Sequence, residues 1–179
     1  MKKFIIKNNN IIIKPFEKET ISKKFISFLN NPKVNKHLTV KKRKQTRKSV
    51  LAYLAKIEKE QDLYLAIISR RNNKNTIIGS ATIRRKKSNI CFVGYMIGDP
   101  KYYGTNENKE AFKIIISYSF FVLKYKQVLA GAKIGNIASN FFLLKNGFKI
   151  IKKTKTDYYY KLIKKNFKDS IKFKYYAKS

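Results

Sequence analysis

Apolar positions along the chain alternate between a two-residue and a helical period. Runs of strand length occur at "NIIIKPF" (10–16), "LYLAIIS" (63–69), "NTIIGSATIRR" (75–85), "NICFVGYMIGD" (89–99) and "QVLAGAKI" (127–134), and two closing strands begin at Phe148 and Tyr158. Helical spacing appears first in "EKETISKKFISFLNN", through Ile21, Phe25, Phe28 and Leu29, with Pro32 as its stop. A second helix carries Val50, Leu51, Leu54 and Ile57. A third is "AFKIIISYSFFVLKY", opening at Ala111, and a fourth is "NIASNFFLLKN" (136–146). "RRNNKN" (70–75) reads as a hairpin turn. The order β-α-α-β-β-β-α-β-α-β-β predicts a mixed α/β fold of about seven strands and four helices, with the helices on the sheet faces. One domain over residues 1–163 accounts for these elements, and a basic, glycine-free tail over 164–179 is left without an assigned element.

Composition adds two constraints. At 179 residues and 44% hydrophobic, the chain can bury a real core and is no disordered polymer. Its net charge of +32 brings nucleic acid and anionic surfaces onto the list of partners. Against that, only 6 of the 42 basic residues are arginine, and the lysines arrive throughout the chain with asparagine and isoleucine. That mixture is what drift in an AT-rich genome produces, so nucleic acid is a secondary partner in this reading. Cys91 lies within an apolar strand and reads as a buried, inert thiol. The apolar start "MKKFIIKNNNIII" is interrupted by Lys7 and three asparagines, unlike a signal peptide. The apolar stretch around 114–123 is short of the ~20 residues a membrane span needs, which leads to the expectation of a cytoplasmic protein with no membrane partner.

The informative stretch is "YYGTNENKEA" (102–111), between a strand and a long helix. Such junctions hold phosphate well, because helix-terminal N–H groups and the positive end of the helix dipole point at the ligand. Here there is one glycine, Gly104, and an acid, Glu107, stands where an anion would lie. Three segments together resemble the GNAT superfamily of acyl-CoA-dependent N-acyltransferases, in the branch that acetylates ribosomal-protein N-termini and amino sugars. They are "FLNNPKVNKHL" (28–38), "VGYMIGDPKYYGTNENKEA" (93–111) and "NIASNFFLLKNGF" (136–148), the last resembling "N-x-x-S/A-x-x-x-x-x-K-x-G-F". The resemblance spans about residues 10–163 and implies a single domain around a central, mostly antiparallel, twisted sheet.

By that resemblance, the loop at Tyr103, Gly104, Thr105, Asn106, Glu107 and Asn108 cradles the pyrophosphate of coenzyme A. Gly104 matches the family's first glycine and Glu110–Ala111 the "E-A" at the helix start. Asn106 replaces the second glycine and is expected to tolerate positive φ, Thr105 replaces a lysine, and Glu107 a tyrosine. The oxyanion donor falls at a backbone N–H among Tyr95, Met96 and Ile97. Asn136 positions the pantetheine arm or caps its helix. The tyrosine many relatives place seven residues later is Leu143 here, so thiolate protonation falls to Ser139. His37, the one histidine, is the general-base candidate, with Asp62, Glu58, Asp157 or an ordered water as alternatives. The implied reaction is direct acetyl transfer from acetyl-CoA in a ternary complex, without metal or covalent intermediate, by a monomer or homodimer. The acceptor is a small-molecule amine, with a nucleotide-linked amino sugar first and a protein N-terminus second. "KKRKQTRK" (41–48) could hold an acidic acceptor, and Tyr158 and Tyr160 share one face of the final strand. A non-catalytic version of the fold and a nucleic-acid-binding protein are the rivals.

Overall fold

The computed structural model describes residues 4–38, 43–71, 74–168 and 171–177. Its strands are β1 (Phe4–Lys7), β2 (Ile11–Pro15), β3 (Leu63–Ser69), β4 (Thr76–Lys87), β5 (Ile90–Ile97), β6 (Gln127–Lys133), β7 (Lys149–Lys153), β8 (Asp157–Ile163) and β9 (Lys174–Ala177). Its α-helices are α1 (Lys23–Asn30), α2 (Pro32–Asn35), α3 (Arg47–Lys59), α4 (Asn106–Ser117) and α5 (Ile137–Lys145). Hydrogen bonding orders the strands β7-β8-β6-β5-β4-β3-β2-β1-β9. The β5–β6 pair is parallel, whereas β1–β2, β1–β9, β2–β3, β6–β8 and β7–β8 are antiparallel. This is the mixed, mostly antiparallel sheet expected, with nine strands and five α-helices among the described residues in place of about seven and four. The chain divides into two compact units. One comprises Met1–Thr82, Tyr95–Ile115 and Ile171–Ser179, the other Ile83–Gly94 and Ile116–Ser170.

In the first unit, α1 and α3 bury Phe25, Phe28, Leu29, Val50, Leu54 and Ile57 together with Phe16, Ile21, Tyr64 and Ala66. Phe16 stacks on Tyr64 at 4.5 Å, and Tyr53 meets the same ring edge-on at 5.3 Å. Ser22 caps α1 by accepting the Phe25 N–H, and Thr46 and Ser49 form a reciprocal capping box at the start of α3. Pro32 does more than stop α1. It occupies the first turn of α2, where its missing N–H has no cost, and Asn31 caps that turn. The C-terminal stretch read as a tail contributes β9, which pairs with β1 from Phe4–Ala177 to Lys7–Lys174. Within the "RRNNKN" turn, residues 72 and 73 lie outside the described residues, as do Lys41 and Lys42 of the basic run.

The second unit has Cys91, Val93, Ile116, Tyr118, Phe120, Val128, Ala130, Leu143, Phe148, Tyr160 and Leu162 among its buried side chains. Helix α4 runs on into a π-helical turn over Tyr118–Val122. The "K-x-G-F" that ends α5 has a direct physical reading. Gly147 takes φ +83°, its N–H donates to the Leu144 carbonyl at 2.9 Å, and the Phe148 N–H donates to the Leu143 carbonyl at 3.1 Å. This is a Schellman cap, in which glycine supplies the left-handed residue. Among the described residues no helix is long and apolar enough to cross a membrane.

Candidate active site

Each unit carries its own share of the residues singled out above. In the first, Asp99 starts a short 3₁₀ turn over Pro100–Tyr102 by accepting the Lys101 N–H at 3.2 Å, and it is paired with Lys24 at 3.3 Å. Tyr102 is buried, while Tyr103 is 48% exposed. Gly104 then adopts φ +74°, with no atom within 4 Å of the position a Cβ would take, so the backbone there opens onto free space. Thr105 Oγ1 accepts the Asn108 N–H at 3.4 Å and donates to the Tyr102 carbonyl at 3.0 Å, and the Lys109 N–H donates to the Thr105 carbonyl at 3.2 Å. Thr105 is therefore the cap of α4.

Two expectations change at this point. Asn106 is not a positive-φ stand-in for glycine, because it is the first residue of α4, and the described non-glycine residues at positive φ are Gln61 and Lys124. The helix also opens five residues before Ala111, so Glu110 and Ala111 sit in its second turn. Among the described residues, the N–H groups of Gly104, Asn106 and Glu107 have no hydrogen-bond partner; the last two belong to the first turn of the helix, which offers them no intrahelical acceptor.

Asn108 is engaged by the protein itself: its side-chain oxygen accepts the Tyr95 hydroxyl at 2.8 Å. Burial raises the Tyr95 phenol well above its usual pKa, so it stays protonated and donates. The Tyr95 ring also meets Phe112 edge-on at 5.1 Å. Tyr103 is raised as well, first by burial and then by the charge of Asp99.

Strand β5 narrows the choice among Tyr95, Met96 and Ile97. The Gly98 N–H donates to the Ile78 carbonyl at 2.8 Å, and the Met96 carbonyl oxygen faces Gly79, so both look toward β4. Peptide groups alternate sides along an extended strand, which turns the N–H groups of Tyr95 and Ile97 to the edge away from β4 and that of Met96 toward it.

The acids and the basic run find specific partners. Glu107 is paired with Arg71, Nε to Oε1 at 3.8 Å, and Glu110 accepts from Asn8 at 2.9 Å and Asn10 at 3.2 Å. Arg47 donates to the carbonyls of Ile21 at 2.6 Å and Lys18 at 3.1 Å, so it ties down the start of α1, while Arg43, Lys44 and Lys48 remain exposed. His37 is half-buried on the turn after α2, Asp62 precedes β3, and Glu58 is exposed on α3.

In the second unit Asn136 caps α5 by accepting the Ser139 N–H at 3.2 Å, the capping alternative of the two weighed for it. Ser139 is half-buried, and among the described residues its hydroxyl has no hydrogen-bond partner. Leu143 is 6% exposed and is a core residue. Tyr160 is buried and donates to Asn140 Oδ1 at 2.8 Å, with Tyr158 against it on the same face and Tyr159 on the other, 38% exposed. Asn140 in turn donates to the carbonyls of Lys133 and Ile134 at 3.0 Å each, fixing α5 to the end of β6. Asp157 starts β8, where its carboxylate accepts from Thr156.

Arg71, Asn8 and Asn10 escaped sequence reasoning. Their partners lie a long way off in the chain, and only the rarity of arginine marked Arg71.

Residues 10–149 match the family model described as an acetyltransferase (GNAT) domain. A probable N-acetyltransferase of Bacillus subtilis, YjcK, is 28% identical over 105 residues, 57% of this chain, and the chain spans about half of that relative's length (56%). Among solved structures, a GNAT-family acetyltransferase of Bacillus anthracis aligns with TM-score 0.75 at 17% identity, over 90% of this chain and 99% of that one. FdhC, described as a nucleotide-linked sugar GNAT, gives 0.72 at 18% over 93% and 90%. A ribosomal-protein-S5-alanine acetyltransferase of Vibrio fischeri gives 0.71 at 16% over 92% and 99%. At these identities the structures attest the fold, and the family model, which takes in the loop after β5 and the whole of α5, establishes that the chain belongs to the GNAT acetyltransferase family.

Proposed function

We propose that this chain is an acetyl-CoA-dependent N-acetyltransferase that acts in the cytoplasm on a primary amine carried by a nucleotide-linked sugar. The observation that carries the coenzyme reading is the start of α4. Three N–H groups without a partner among the described residues, at Gly104, Asn106 and Glu107, gather around the open Gly104 at the positive end of a 12-residue helix. That set suits a pyrophosphate, and Asn108, with its side chain taken by Tyr95, is withdrawn from it.

Acyl transfer from a thioester needs an amine free of its proton, a donor for the developing oxyanion and an acid for the departing thiolate. The N–H of Tyr95 or Ile97 supplies the oxyanion donor. The Ser139 hydroxyl, without a hydrogen-bond partner among the described residues, protonates the thiolate. His37 or a water takes the amine's proton. Arg43 and Lys44, exposed in the loop before α3, and Lys48, exposed in its first turn, supply positive charge for the acceptor's diphosphate. The likeness to FdhC supports a sugar nucleotide, and the likeness to the S5-alanine enzyme supports a protein N-terminus as the second reading.

Thiol release from acetyl-CoA with a panel of nucleotide-linked amino sugars and alanine-initiated peptides separates the two. Turnover with the sugars that falls about 100-fold in Ser139→Ala, with coenzyme affinity retained, is the expected result. Turnover with peptides alone moves the acceptor to the second reading. Absence of coenzyme A binding at ~150 mM salt, where generic attraction to a cation is screened, overturns the enzymatic reading.

A further inference from the structure

The loop after β5 departs from its family pattern in a way that removes positive charge: a threonine, Thr105, where a lysine is usual, and a carboxylate, Glu107, in the helix turn that would meet the anion. The first unit carries an arginine at that same turn. We propose that Arg71, from the end of β3, is a binding residue for the coenzyme A pyrophosphate, held at the start of α4 by Glu107. This rests on the coenzyme reading above and deepens it.

The placement of Arg71 is built from both sides. On the hairpin side, its own N–H donates to Ser69 Oγ at 3.3 Å, and its carbonyl accepts the Lys74 N–H at 3.1 Å. Its neighbour Arg70 donates its backbone N–H to the Asn10 carbonyl at 2.8 Å and its guanidinium to the Asn8 carbonyl at 3.2 Å. On the helix side, the side chains of the same Asn8 and Asn10 hold Glu110, one turn along from Glu107, at 2.9 and 3.2 Å. The β1–β2 turn thus clamps the hairpin that carries Arg71 to the helix that carries Glu107.

The contact itself leaves Arg71 able to bind. It uses Nε, at 3.8 Å from Glu107 Oε1, with the arginine side chain 63% exposed and the glutamate 17%. Among the described residues the remaining guanidinium N–H groups, a planar fork matched to phosphate oxygens, have no protein partner, on a side chain tied through Nε to the first turn of α4. Glu107 cancels one unit of charge and fixes the guanidinium's direction, so it acts as a positioning residue for Arg71.

The test is calorimetric titration with coenzyme A and with pantetheine, which lacks every phosphate, on wild type, Arg71→Ala, Arg71→Lys, Glu107→Gln and the Arg71→Ala/Glu107→Gln pair. Loss of one charge-assisted contact predicts about tenfold weaker coenzyme A binding in Arg71→Ala, in both the wild-type and the Glu107→Gln backgrounds. Arg71→Lys recovers part of the loss, and pantetheine affinity is unchanged. Three results overturn the assignment: unchanged coenzyme A affinity in Arg71→Ala, equal losses for coenzyme A and pantetheine, or a loss that disappears in the Glu107→Gln background. The last would leave Arg71 as a neutraliser of Glu107 and nothing more. Wild-type protein that binds no coenzyme A sinks the coenzyme reading itself, a result distinct from these three.

Discussion

Gly79→Ala tests how closely β4 and β5 must approach for the β5 peptides to face their edge. A Cβ at Gly79 would lie 3.1 Å from both Met96 C and Ile97 Cα and would overlap the Met96 carbonyl oxygen. Backbone atoms cannot rotate out of the way as a side-chain tip can. The neighbouring bond from the Gly98 N–H to the Ile78 carbonyl, at 2.8 Å, resists sliding of the pair. Restoring ordinary carbon contacts requires a local parting of about 1 Å, and overpacking of this kind costs about 1–3 kcal/mol. In urea, with a slope of about 1–3 kcal/mol per molar, a loss of about 2 kcal/mol lowers the unfolding midpoint by roughly 1 M. The N–H groups of Tyr95 and Ile97 move with the strand, and a misplacement of about 1 Å can cost about 100-fold in rate. The loop at Gly104 is not part of this contact, so coenzyme A affinity should change little. Gly135→Ala is the control, since no atom lies within 4 Å of its added Cβ and its φ is ordinary. A Gly79→Ala protein that unfolds and turns over like wild type, or a Gly135→Ala protein that is damaged equally, would refute the reasoning.

The Cys91 thiol, pushed up to about 12 by burial and partly offset by a hydrogen bond with Ser119, stays protonated in the folded chain to a higher pH than the 9.0 of a free thiol. The native state therefore holds the proton that the unfolded chain releases, and stability should fall as pH rises from about 9 to about 12, at a slope of about 1.4 kcal/mol per unit from this group. Urea midpoints measured across that window check the sign, and rapid labelling of Cys91 by a thiol reagent under native conditions would contradict the burial. Tyr160→Phe removes one hydrogen bond to Asn140 and should cost about 1 kcal/mol, whereas Asn140→Ala also strips the carbonyls of Lys133 and Ile134 and should cost about 2–3 kcal/mol. Chemical denaturation of both variants tests that order. Thr105→Ala removes the cap of α4 and should cost about 1 kcal/mol in the same assay, with weaker coenzyme A binding because the helix start frays.

What the sequence disclosed follows the range of the interactions involved. The β3 bounds, the α5 cap at Asn136 and the glycine after α5 are set by neighbours within a few positions, and each was readable from local pattern. Strand β1 is apolar at three consecutive positions, Phe4, Ile5 and Ile6, and β9 is exposed along its length, so neither four-residue sequence shows the polar–apolar alternation that marks a strand. Asn106 was read as a glycine substitute because its loop was aligned by family position, whereas the cap at Thr105 starts the helix earlier. Glu107 looked like an obstacle to an anion because its partner, Arg71, comes from a hairpin far back in the chain. The contact that makes Gly79 irreplaceable is a tertiary approach of two backbones, and a lone glycine in a strand gives no hint of which backbone comes close.

The pairing of β1 with β9 has a bearing on how the chain is made. Phe4 can meet Ala177 only after nearly all of the chain between them has been synthesised, so one edge of β1 waits while the interior strands assemble. In that interval β1 offers an unpaired ladder to any extended segment nearby, with Ile6 and Phe4 as apolar side chains on one face. Closing so long a loop is entropically no great burden, since the penalty grows only with the logarithm of length, but it comes late. Fusions or trims that disturb residues 174–177 should therefore reveal themselves first as aggregation during expression, before any loss of activity in the molecules that fold.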